Sequence, residues 1–427
     1  MDSPRSIIRS GIRSDRRTIL KTLAAGAGTL AAGSLLARPA IAQAREITMI
    51  TDASNNRPVV DRIAADFERD TGVKVTINGI DSESNKTAIR SYLVTSPPDV
   101  CFWFSGNRMR AFVKRGLFDD ITDLLQREKL YDVLGVLTQT VSVGDRQYGL
   151  PTGGSMWGLM YRKDVFAQHG LTPPKTWDEL IATCDKAAAA GLVPLGIGTK
   201  ELWPAAGWFD YLNLRINGLD YHMRLMDGQA TYLDPELTPV FDRWEDLIKR
   251  NYFLPNHTSY SWQQAAAFLV QGKAAMFFLG NFMRRVFPDD QVQQLGFIPF
   301  PQIQPGIGPF EEFSVNSIHI PARAKNKELA RDFLAYFYRP ENLGAYLQPD
   351  GNIPARKDVK MQVDPLMQSV VDTLQAAKGT SQFYDRDTDP DMAQVGLNAF
   401  QEFMVAPDRR QAILQRLEAT RKRVFKA

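Results

Sequence analysis

The side chains that could act together in this chain suit recognition better than bond breaking. There is no Gly-x-Ser-x-Gly elbow, no His-Glu-x-x-His pair and no phosphate-cradling glycine loop. His169, His222, His257 and His319 are scattered without Cys or carboxylate neighbours at ligand spacing, so neither a metal site nor a cofactor is expected. Cys101 and Cys184 sit in strand-like and Ala-rich helix-like surroundings and read as small buried residues, with a bridge between them as the alternative. What recurs instead is an aromatic ring beside polar groups on turn-rich stretches. Trp103 and Ser105 follow a buried run, Glu201 and Trp203 stand two apart, and Asn281 precedes Phe282. Asp52 and Asn55 follow the first strand-like run, Asn316 lies on a later strand, and Asn352 and Tyr384 fall in two further turns. Such rings offer flat apolar faces, while Asp, Glu and Asn supply directed hydrogen bonds.

The elements that must carry these residues alternate between strand and helix. Ile47 to Ile50 is a β-like run, and Val59, Ile63, Ala64 and Phe67 form one helical face that Gly72 ends. Residues 73–77 alternate as a second strand, and a helix over 85–95, the breaker Pro97-Pro98, a buried strand over 99–104 and a helix stopped by Gly116 follow. Thr176 and Glu179 have capping-box spacing at the start of another helix. The alternation predicts an α/β fold with crossovers. Two breaker-rich stretches, 148–154 and 299–309, are read as a change of direction and as the return crossing between two lobes; a long surface loop is the alternative for the second. Residues 314–320 read as a strand, and the tail from about Asp364 reads as helical, ending in a solvated basic face.

The first 44 residues have a basic start, an apolar stretch of about a dozen residues and a small-x-small site at Ala40-Ile41-Ala42, the pattern of a cleaved export signal. Arg16 and Arg17 ahead of Ile19-Leu20-Lys21 resemble a twin-arginine signal. A membrane anchor is the competing reading, but the stretch is short and carries Gly26, Gly28 and Gly33. The whole chain has 51 basic and 48 acidic side chains; without the signal it has 44 and 46, about −2. Nucleic acid thereby loses its support as a partner. The remaining 383 residues exceed one ordinary core.

Motifs spread over residues 45–427 carry a resemblance. They include Asp66-Phe67-Glu68-Arg69-Asp70-Thr71-Gly72, Pro98-Asp99-Val100, Gly149-Leu150-Pro151, Tyr161-Arg162-Lys163-Asp164, Pro174-Lys175-Thr176-Trp177, Gly272-Lys273-Ala274-Ala275-Met276 and Lys325-Asn326-Lys327-Glu328-Leu329-Ala330. In this order they resemble the bacterial extracellular solute-binding proteins of family 1, carbohydrate receptors of ABC importers. The resemblance implies a type II periplasmic-binding-protein fold, with two α/β lobes joined by crossing strands and a ligand cleft between them. It implies 45–152 plus 309–360 as one lobe and 153–308 plus 361–427 as the other. It further implies a small-molecule ligand of the carbohydrate class, partner ABC permease subunits, a monomer and a periplasmic location.

The same resemblance gives Trp103 and Trp203 the positions of ligand aromatics and puts Phe282 where the family commonly has Trp, without the indole N–H. Asn352 and Tyr384 fall in segments that reach the ligand in some relatives. A core position is the alternative for Trp103, a plain turn for Asp52, Asn55 and Asn352, a core-facing strand position for Asn316 and a solvated loop for Tyr384. Two other functions stay open: a receptor for a non-sugar or anionic solute, with Arg108 and Arg386 as its cations, and an exported glycoside hydrolase, which needs two carboxylates roughly 5–10 Å apart.

Overall fold

The computed structural model describes residues 45–52 and 56–426. The expected signal segment and Asn55 lie outside the described residues.

Eight strands organise the molecule: β1 Glu46–Asp52, β2 Lys74–Ile80, β3 Val100–Phe104, β4 Leu150–Arg162, β5 Val193–Gly196, β6 Ala274–Gly280, β7 Leu295–Ile298 and β8 Phe310–His319. Among the described residues their order is β2-β1-β3-β8-β4-β6-β5, with β7 added on β4. β1 runs parallel to β2 and β3 at one end, and β5 runs parallel to β6 at the other. Between these two parallel units lie the long antiparallel strands β4 and β8. The first part of β4 pairs with β8 through residues 150–156, and its second part pairs with β6 and β7 through 157–162. One strand thus belongs to both ends.

The helices form where periodicity and caps place them. α1 Arg57–Thr71 buries Val60, Ile63, Ala64 and Phe67 and ends at Gly72, whose φ of 69° only glycine adopts without cost. α2 Ser82–Thr95 is capped by the Asp81 carboxylate, and α3 is Asn107–Val113. α4 Trp177–Ala189 has the expected capping box between Thr176 and Glu179. α5 Trp203–Met226 is buried almost all round and broken at Gly218, while α6 Trp262–Val270 is capped reciprocally by Ser261 and Gln264. One large core draws on residues 156–417; two smaller ones draw on residues 47–355. Both cysteines are free and buried.

Three expectations need correcting. Residues 150–154, read as a turn because of Pro151, Gly153 and Gly154, are extended strand. The glycines serve close packing: a Cβ on Gly153 would stand 2.7 Å from the Ile353 carbonyl, and one on Gly154 2.5 Å from the Phe313 ring. The return crossing is made by β8 itself, and the proline-rich 299–309 stretch is irregular backbone leading into it. The tail is interrupted at Gly379–Ser381, which pairs with β8; its basic face is solvated as expected at Arg409, Arg416, Lys422 and Arg423, whereas Arg421 is buried against Glu418.

Candidate ligand-binding cleft

A cavity of about 180 Å³ opens where the two parallel units face each other. Its walls come from strand ends and helix starts, as open α/β sheets dictate. On one side stand Asp52 at the end of β1, Glu83 and Lys86 in the first turns of α2, and Phe102 and Phe104 of β3. Facing them are Trp203 and Gly207 of α5, Trp262 of α6, Phe282 and Arg285 after β6, and the turn Phe383, Asp385, Arg386. Ser155 of β4 and Asn316 of β8 complete the floor.

The aromatic wall is assembled by local constraints. Trp203 and Pro204 open α5 after Leu202, held at φ 66°, so the sequence that reads as a loop is a sharp helix entry. Trp203 packs edge-on to Trp157 at 5.6 Å, and Trp262 meets Phe282 at 5.4 Å. A Cβ on Gly207 would fall 2.4 Å from the Trp157 ring, so glycine lets the helix approach the tryptophan.

Polar groups bridge the cleft. The Trp203 indole N–H donates to Glu83 at 3.3 Å, Glu83 pairs with Lys86 at 2.7 Å, and Lys86 stands 5.7 Å from the centres of both Trp203 and Phe104. Burial lowers the Lys86 pKa, opposed by Glu83. Arg108 pairs with Asp385 at 2.9 Å, and the Asn107 amide donates to the Asp387 carbonyl at 2.6 Å. Burial pushes Asp385 up, but Arg108, Lys86 and Arg386 together hold it below its ordinary value. Arg386 lies 4.3 Å from the Phe104 ring centre and donates to the Val315 carbonyl; burial brings its pKa down to about 10. Asp52 accepts from the Ser82 hydroxyl at 2.6 Å.

Of the residues singled out from sequence, Asp52, Trp203, Phe282, Asn316 and Arg386 line this cavity, and the Asn316 side-chain oxygen has no protein donor among the described residues. Six others stand behind it. Trp103 points to the opposite face of β3 from Phe102 and Phe104, packing against Phe112 at 5.5 Å. Ser105 donates to the Val315 carbonyl at 2.8 Å. Glu201 accepts from the Trp262 amide at 3.1 Å and so fixes the start of α6. Asn281 accepts from the Met156 amide and donates to the Gly351 carbonyl, tying β6 to β4. Asn352 is buried, and Tyr384 is a core residue whose hydroxyl meets that of Tyr232 at 2.6 Å. The residues missed are Glu83, Lys86, Phe104, Trp262, Arg285 and Phe383. The position of Glu83 just after Asp81, at a strand-to-helix junction, was the available signal.

With this geometry in place, comparison with known proteins is decisive. The model of the bacterial extracellular solute-binding proteins matches residues 53–343. The chain belongs to that family. An uncharacterised ABC transporter extracellular-binding protein of Pyrococcus horikoshii is 24% identical over 338 residues, covering 76% of this chain and 75% of that one. The multiple sugar-binding protein of Streptococcus mutans is 21% identical over 74% of this chain and 78% of its own length. The crystal structure of the bacterial solute receptor AcbH, described as having an exclusive preference for β-D-galactopyranose, superposes with a TM-score of 0.85 at 29% identity, covering 90% of this chain and all of that one. A chitin oligosaccharide binding protein shares the fold at a TM-score of 0.81 and 21% identity, over 89% of this chain and 99% of that one. The solute-binding receptor has the two-lobed fold of these neighbours. No helix among its described residues is long and apolar enough to cross a membrane.

Proposed function

We propose that this solute-binding protein is the exported receptor of an ABC importer, that it takes an uncharged sugar into the cleft, and that it hands the sugar unaltered to the membrane permease. The observation that carries the reading is the wall of Trp203, Trp262 and Phe282 set against Phe104, Asp52 and Asn316 across one cavity. Rings of this kind suit the C–H faces of a pyranose, and the polar groups suit its hydroxyl rim. The cations support an uncharged ligand. Lys86 is held by Glu83 and Arg285 by Asp350 at 3.6 Å, with Arg108 held by Asp385 behind them, so an anion meeting these groups would have to displace a protein carboxylate; Arg386, the remaining lining cation, is turned to the Val315 carbonyl and the Phe104 ring. That weighs against a receptor for phosphorylated or acidic solutes.

In this reading residues 45–152 plus 309–360 form one lobe and 153–308 plus 361–427 the other, and the separate hydrophobic cores agree with the division. Closure is a hinge motion of the lobes on β4 and β8, favoured by Trp203–Glu83 and Arg108–Asp385 contacts that an open cleft lacks. Residues 1–44 serve as a twin-arginine export signal, leaving a monomeric receptor in the periplasm. Asp52, Trp203, Phe282 and Asn316 touch the ligand; Trp103, Ser105, Glu201, Asn281, Asn352 and Tyr384 hold the residues that do. Isothermal titration with D-galactose, galacturonate and glycerol 3-phosphate tests the charge preference: binding confined to the neutral sugar is expected, and binding confined to either anion rejects the reading. Incubation with oligosaccharides tests the receptor against a hydrolase, since any turnover sinks it.

A further inference from the structure

Contacts between the two walls cross the cleft at three places. Arg108 meets Asp385 at 2.9 Å and Arg285 meets Asp350 at 3.6 Å, with both carboxylates buried. The third is different in kind. One oxygen of Glu83 accepts from the Trp203 indole N–H at 3.3 Å and from the Lys86 ammonium at 2.7 Å. The Glu83 side chain is 44% exposed, so this contact stands at the rim where the cavity meets solvent. The rim is firmly built. Glu83 lies in the first turn of α2, and the Asp81 carboxylate fixes that turn by accepting from the Ser84 amide at 2.9 Å.

The space behind that rim is small. Its volume of about 180 Å³ lies below the roughly 300–1,000 Å³ of sites that enclose drug-sized ligands. Lys86 marks its limit across the cleft. The ammonium stands 5.7 Å from the ring centre of Phe104 on one wall and 5.7 Å from that of Trp203 on the other, so the two centres are no further apart than twice that distance. Two sugars lying face to face between them would need three van der Waals contacts of about 4 Å and the thickness of two puckered rings besides, which exceeds that limit, whereas one sugar needs only two contacts. A second ring would have to leave through the rim and part Glu83 from Trp203.

We infer that the cleft takes a single sugar ring, and that Glu83, bound to Trp203 and steadied by Lys86, is the stop that shuts out a second one. The inference rests on the sugar reading and deepens it by naming the ligand's length and the residue that sets it. A monosaccharide enters before the lobes close, and the Glu83–Trp203 contact then forms behind it. A longer ligand leaves that charge-assisted hydrogen bond unmade, a loss of about ten- to a hundredfold in affinity. Alanine at this position removes the acceptor, whereas glutamine keeps an oxygen that accepts the indole N–H.

Isothermal titration of the mature chain compares D-galactose, D-glucose and D-xylose with lactose, cellobiose and xylobiose, in wild type, Glu83→Ala and Glu83→Gln. In wild type the best monosaccharide should bind at least about tenfold more tightly than any of the disaccharides. A disaccharide that binds within tenfold of it overturns the inference and leaves the sugar reading standing. Glu83→Ala should narrow the ratio between the two lengths by at least about threefold, and Glu83→Gln should hold it within threefold of wild type. A weakening in Glu83→Ala that both lengths share equally makes Glu83 a structural support and overturns its role as the stop. The wild-type comparison decides the ligand's length even where a variant fails to fold. If no sugar of either length gives heat, the sugar reading fails and the stop falls with it.

Discussion

Arg215 offers the sharpest test of how the crossing strand is held. Its guanidinium is 4% exposed and reaches three acceptors on two segments: the Phe300 carbonyl at 3.1 Å, the Phe310 carbonyl, and Glu311 at 2.5 Å. It also lies 5.3 Å from the Tyr211 ring centre. Arg215→Met removes one partner of a buried pair and leaves Glu311, 1% exposed, without its cation, a change that costs about 3–5 kcal/mol. Burial already raises Glu311 with Arg215 present, so without it the group escapes by taking a proton. Protonation costs about 1.4 kcal/mol per pH unit above its ordinary value, so the variant recovers at most about 3 kcal/mol between pH 7 and pH 5, and the penalty relative to wild type shrinks by less than that because Glu311 is raised there too. Arg215→Met with Glu311→Leu removes both charges and should recover at least half of the pH 7 loss. Urea unfolding followed by tryptophan fluorescence at the two pH values reads all of this. A penalty below 1 kcal/mol at pH 7, or one equal at both pH values, refutes the reasoning.

Further substitutions probe the cleft and its supports. Trp203→Ala should weaken sugar binding at least tenfold in calorimetry, about 1.4 kcal/mol, whereas Trp203→Phe keeps a stacking face, loses the N–H to Glu83 and should cost less. Gly207→Ala forces a Cβ to within 2.4 Å of the Trp157 ring and should cost about 1–3 kcal/mol in urea unfolding. Asn281→Ala leaves the buried Met156 amide and Gly351 carbonyl unpaired, about 1–3 kcal/mol for each, measured the same way.

Much of the fold was legible because local signals agreed with one another. The face of α1, its Gly72 stop and the capping box of α4 stand where periodicity and end residues put them. The crossing strands were harder. In β4 the residues that punctuate loops are used for close packing, a demand that arises only when Ile353 and Phe313 arrive from far along the chain. The site showed the same divide. Trp203, Phe282, Asp52 and Asn316 were readable as aromatic or polar residues at element ends. In β3, Val-Cys-Phe-Trp-Phe is buried throughout, so alternation alone cannot tell which face meets the cleft, and Trp103 is one residue out of phase with Phe102 and Phe104. Glu83 and Lys86 look like an ordinary exposed helix pair until Trp203, over a hundred residues away, is set against them. Tyr384 is core because its hydroxyl is taken by Tyr232, a pairing no local pattern announces.

The central claim is reversible capture of an uncharged sugar between two lobes. Isothermal titration of the mature wild-type chain with D-galactose, alongside Trp203→Ala, tests it most directly. The account predicts saturable binding of one sugar per chain, weakened at least tenfold by the substitution, with the sugar recovered unchanged. Saturable binding that Trp203→Ala leaves untouched, or recovery of a chemically altered sugar, contradicts it.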